Sequence, residues 1–101
     1  MGNPTRQYLI SGRVQGVGFR AHAQRWAQRL SVMGWVRNLV DGRVEVIAQA
    51  AQSVLVEFEI QLRRGPEFSR VSDFHADSWE QAEVYSVFEV RKDGEEPCGR
   101  E

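Results

Sequence analysis

The stretch that most constrains this chain is Gly12-Arg13-Val14-Gln15-Gly16-Val17-Gly18-Phe19-Arg20, where a strand pattern gives way to a helix pattern. Three glycines permit the backbone conformations that a tight turn needs, and they let successive N–H groups converge on one point. Arg20 stands at the start of the helix pattern, where the macrodipole disfavours positive charge. An anion lying between the guanidinium and the helix end would account for that placement. From the residues alone two readings stay open: an anion cradle, and a plain strand-to-helix turn whose glycines serve only the backbone.

The patterns on either side set the architecture. Residues 6–14 alternate apolar Tyr8, Ile10 and Val14 with Gln7, Ser11 and Arg13, as a half-buried strand does. Phe19, Ala23, Trp26, Ala27 and Leu30 then recur at helical spacing, with Gln24, Arg25, Gln28 and Arg29 opposite. Ser31 occupies the place where a helix-ending glycine is expected. Two β-rich runs, 35–40 and 43–48, flank Asp41-Gly42 and predict a hairpin with a type I′ turn.

Residues 51–64 fit a strand by alternation and a helix by the stripe Ala51, Leu55, Phe58 and Leu62. Their length and the Gly65-Pro66 stop favour the helix, which then places Val56 and Ile60 on its outer face. Residues 70–77 read as a bulged strand, 77–81 as a loop containing Trp79, and 84–90 as the last strand. The order is strand, helix, strand, strand, helix, strand. This is the split βαβ arrangement: one antiparallel sheet of four or five strands with both helices on one face.

A chain of 101 residues is the size of one domain, expected here over residues 1–91, with 92–101 a polar, mobile tail. No apolar run approaches a membrane span, and Met1-Gly2-Asn3-Pro4-Thr5 lacks the features of a signal peptide. A single cysteine, Cys98, forms no internal disulfide, so a cytoplasmic location is expected and the thiol reads as incidental. The net charge of −1 hides an asymmetry, since residues 1–50 hold seven arginines against Asp41 and Glu45. The basic half is the half with the glycine loop, which suits an anionic ligand.

Among residues able to carry chemistry, Arg20 offers paired N–H donors to two phosphate oxygens and keeps its charge. Asn38 is an asparagine inside a strand, where that residue is depleted, and its amide can both donate and accept. The glycines do not space as a dinucleotide fingerprint, and no Gly-Lys-Ser/Thr follows for a P-loop. His22 and His75 have no cysteine or carboxylate partners at metal-ligand spacing, so no zinc site is expected; no cofactor is expected either. Trp26 and Trp35 read as packing residues.

The loop, taken with Gly34-Trp35-Val36-Arg37-Asn38 and Asp41-Gly42-Arg43-Val44-Glu45, resembles the two signatures of acylphosphatases. Gly65-Pro66, Ser69-Arg70-Val71 and Phe88-Glu89-Val90 extend the resemblance over roughly residues 6 to 91. It implies a ferredoxin-like α/β sandwich and metal-independent hydrolysis of acyl phosphates to a carboxylate and inorganic phosphate. It also implies that Arg20 and the backbone N–H groups of Gln15, Gly16, Val17, Gly18 and Phe19 hold the phosphoryl group. Asn38 would orient the attacking water. The chain departs from the family pattern at Ala21, His22, Trp26 and Ser31 and in the tail from Lys92.

On this reading the partners are a small-molecule acyl phosphate and inorganic phosphate, with no nucleic acid and no membrane, and the chain acts as a monomer. The alternative is a non-catalytic module on the same fold that binds phosphate or carbamoyl phosphate. A role in RNA binding ranks last, because the loop lacks the aromatic RNA-recognition motif.

Overall fold

The computed structural model describes residues 2–80 and 83–99. Its elements are β1 (Thr5–Arg13), α1 (Phe19–Leu30), β2 (Met33–Asn38), β3 (Val44–Gln49), α2 (Gln52–Arg64), β4 (Arg70–Ser78) and β5 (Phe88–Val90). The sheet order is β4-β1-β3-β2-β5. Both helices lie on one face, as a ferredoxin-like α+β sandwich requires. Phe19, Ala23 and Ala27 of α1 join Leu55, Phe58 and Leu62 of α2 over Tyr8, Ile10, Val36, Val44, Val46 and Ala48 of the sheet. The segment at 51–64 is the helix its length suggested, and Val56 and Ile60 are on its exposed side.

Three features differ from the pattern reading. First, the sheet is mixed. β1 to β4 pair antiparallel, but β5 adds to the outer edge of β2 in parallel, Gly34 opposite Phe88 and Val36 opposite Val90. The chain leaves β4 at one edge and must cross the whole sheet before it reaches the other. The crossing is held by Trp79 N–H on Thr5 O (2.9 Å), Gln49 Nε2 on Glu83 O (3.0 Å) and Tyr85 N–H on Gln49 Oε1 (2.9 Å). Its alternating residues 84–87 therefore belong to a connection, and only Phe88–Val90 pair as a strand. Gln81, the end of the loop expected at 77–81, lies outside the described residues.

Second, the β2–β3 turn is longer than type I′. Leu39 N–H bonds Arg43 O (2.8 Å), which leaves a three-residue loop closed by Gly42 at φ 100°. The Asp41 carboxylate accepts Arg43 N–H (3.1 Å) and the Arg43 guanidinium (2.9 and 2.7 Å), a local lock compatible with negative φ at Asp41. The hydrogen bond from Arg43 holds the Asp41 carboxyl below its ordinary range.

Third, the face of the sheet without helices is partly covered. Trp35, Ile47 and Trp79 are buried there, with Tyr85 and Cys98 packed against them. Burial among these groups pushes the Cys98 thiol up, away from the reactive thiolate. The bulge expected in the strand from Arg70 is present: Ser11 faces Asp73 and Gly12 faces Val71, so Ser72 is the extra residue.

α1 ends on Ser31 at φ 60°, ψ 42°, the left-handed conformation that glycine adopts without penalty. Ser31→Gly is expected to stabilise the protein by about 0.5–1 kcal/mol. Urea denaturation with a higher midpoint and unchanged slope would show it; no gain would mean the serine is not strained.

Tyr8 is completely buried, and its hydroxyl makes no hydrogen bond of good geometry to the described residues. Burial first, and the charge of Glu59 second, push its phenol up to about 12, against an opposing pull from nearby Arg6. The unfolded phenol ionises near 10, so the unfolded state loses its proton first and stability falls as pH rises from there towards 12. The loss from this group is on the order of 3 kcal/mol. Tyr8→Phe should remove this part of the alkaline dependence in denaturation at pH 9 to 11; an identical dependence in parent and variant would refute it.

Candidate active site

The register of the sheet decides which side chains can meet. β1 and β2 both pair antiparallel with β3, so they run in the same direction on either side of it. Val44 at the start of β3 faces Ile10 on one side and Asn38 on the other. The loop that follows β1 and the last residue of β2 therefore emerge at the same end of the sheet. β5, parallel to β2, brings Val90 to that end as well.

The loop is bent by Gly16 at φ 74° and Gly18 at φ 82°, and a Cβ at either position would meet no neighbour. Backbone conformation rather than crowding requires glycine there. Gln15 ties the loop down, its Nε2 donating to Leu39 O (2.7 Å) and Arg43 O (2.9 Å) across the hairpin. Phe19 is buried in the core, so only its backbone is available to a ligand.

α1 starts at this point with Gly18 as its N-cap, no capping side chain and no acidic residue in its first turn. The unsatisfied N–H groups and positive end of the dipole are thus left for an anion. Arg20, in that first turn, keeps its side chain 41% exposed.

A cleft of about 390 Å³ joins these parts, lined by Val14, Gly16, Gly18, Phe19, Arg20, Ala21, Gln24, Asn38 and Val90. Arg20 and Asn38, chosen from sequence, thus share one cavity. Asn38 is buried, and the hydrogen bonds it makes to described residues run through its backbone. Of the other residues expected at the site, Gly16, Gly18 and Phe19 line the cleft; Gln15 and Val17 do not. Gln15 instead braces the loop, and Val17 packs against the core.

Sequence reasoning missed Val14, Ala21, Gln24 and Val90. Gln24 could have been found, because it lies one helical turn beyond Arg20 on the same face. Val90 could not, since only strand pairing brings it across from 70 residues away along the chain.

Comparison with known proteins gives the class. The acylphosphatase family model matches residues 6–90. An acylphosphatase from Nitratidesulfovibrio vulgaris (strain DP4) is 43% identical over 90 residues, covering 87% of this chain and 90% of that protein. One from Koribacter versatilis is 49% identical over 71 residues, 70% of this chain and 64% of that relative's length. The crystal structure of acylphosphatase from Bacillus subtilis superposes with a TM-score of 0.84 at 34% identity, over 87% of this chain and 98% of that one. The chain belongs to the acylphosphatase family.

Gln15 is expected to fix the loop against the hairpin. Gln15→Leu should lower stability by about 1–2 kcal/mol through two lost hydrogen bonds, measured by urea denaturation. An unchanged midpoint would show that the brace is dispensable.

Proposed function

We propose that the protein hydrolyses the carboxyl–phosphate anhydride of acyl phosphates. The observation that carries this reading is the convergence of Arg20, Asn38 and the uncapped start of α1 on one cleft. Arg20 would pair with two phosphoryl oxygens, and loop N–H groups would take the third. The Asn38 amide, lining the same cleft, would orient a water in line with the bond to be broken.

The water oxygen forms a bond to phosphorus as the bond from phosphorus to the carboxylate oxygen breaks. The electron pair leaves with the carboxylate, and the water's proton passes to a phosphoryl oxygen. A carboxylate departs readily without protonation, so the chemistry needs positioning and charge stabilisation rather than a strong general acid. The acyl group would extend over Ala21, Gln24 and Val90, which line the same cleft. Neither a metal nor a cofactor enters these steps.

Phosphate release from benzoyl phosphate tests the reading. Arg20→Ala and Asn38→Ala should each lower turnover about 10²- to 10³-fold, the first with a raised KM and the second chiefly in kcat. Absence of turnover in the parent, with phosphate still protecting it against unfolding, would favour the binding-module reading instead. Equal turnover in parent and variants would sink the assigned roles.

A further inference from the structure

The polar residues after β5 return to the site. Arg91 N–H bonds Val36 O (2.8 Å), Gly94 N–H bonds Asn38 O (2.9 Å), and Val40 N–H bonds Gly94 O (2.9 Å). Gly94 lies against the Arg37 guanidinium, where a Cβ would collide with it. That guanidinium donates to Glu45 Oε1 (2.8 Å) and to Glu96 O (2.8 Å). The completely buried Glu45 also accepts Cys98 N–H (2.8 Å) and Gln7 Nε2 (2.8 Å) through Oε2. The segment is thus clipped to the sheet at 91, 94, 96 and 98, and all four clips lie beyond the residues matched by the family model.

Between the first two clips sits Asp93, with Oδ1 3.6 Å from Arg20 Nη1. We propose that Asp93 is a resident anion for Arg20 that sets the affinity of the phosphoryl site: it holds the guanidinium until a phosphoryl group displaces it. The inference rests on the phosphoryl-site reading above. The pair is long and half exposed, 41% at Arg20 and 61% at Asp93, so it is weak enough to yield to a dianion bound through two oxygens. The displaced carboxylate remains tethered beside the site by Gly94 on the Asn38 carbonyl, and its charge opposes the incoming phosphate. Competition and repulsion act in the same direction, so removing the charge should tighten binding. The segment also bonds the backbone of Asn38, so both residues assigned to the chemistry touch it.

The test is titration of inorganic phosphate into the whole protein, followed by calorimetry, with KM and kcat for benzoyl phosphate measured alongside. Asp93→Asn should bind phosphate about two- to fivefold more tightly than the parent at low ionic strength. The gain should shrink in high salt. KM should fall by a similar factor with kcat little changed. Glu95→Gln removes the same charge two residues away and should leave the affinity at the parent value. Unchanged or weaker binding in Asp93→Asn, with the parent binding phosphate, overturns the inference and leaves the phosphoryl site standing. Equal tightening in Asp93→Asn and Glu95→Gln also overturns it, since net charge alone would then explain the gain. A parent that binds no phosphate overturns the site reading and the inference together.

Discussion

The site depends on the central position of β3, antiparallel to both its neighbours. A strand so placed forces the flanking strands to run alike, and whatever follows each of them is delivered to one end of the sheet. β1 delivers the glycine loop, β2 delivers Asn38, and β5, parallel to β2, delivers Val90 and the segment carrying Asp93. β3 is buried along its whole length, with Val44, Val46 and Ala48 on the helix side and Glu45 and Ile47 on the other. Covering on both faces makes a slip of register costly, because a one-residue shift would send Glu45 into the apolar core.

The same end of the sheet concentrates positive potential. An uncapped helix start, backbone N–H groups turned by two left-handed glycines and a permanent guanidinium face a common space. In isolation each is mildly unfavourable, because the dipole repels Arg20 and the glycines lose more entropy on folding than other residues. Such costs are sustained by the surrounding packing: Phe19 in the core below, Gln15 across the hairpin, and β4 closing on Gly12. This surface is the part of the fold that local preference alone would not build.

Much of the fold was legible because its signals are local. Helical spacing at Phe19, Ala23 and Ala27 survives as buried contacts, and the stripe of Leu55, Phe58 and Leu62 outweighs the β-branched residues beside it. The turn at Asp41-Gly42 was legible only in part. Its dipeptide suits type I′, yet the Asp41 carboxylate bonded to Arg43 and the Leu39 pairing draw a third residue into the loop. Residues 84–87 alternate as a strand does, but they reach β2 only at their end, where Val87 O accepts Gly34 N–H (2.8 Å), and the paired register begins at Phe88.

The sequence by itself determined the order of elements, the backbone freedom of the glycine loop and the oddity of Arg20 and Asn38. These are properties of short stretches, set by side-chain periodicity, glycine conformation and fixed charge. Only the tertiary structure decided that the two residues share a cleft, that β5 joins in parallel and that a polar C-terminal segment lies against both. Such facts depend on strand register and on contacts between residues as distant as Arg20 and Asp93, which no local pattern encodes. Local pattern builds the glycine loop; the sheet decides what stands around it.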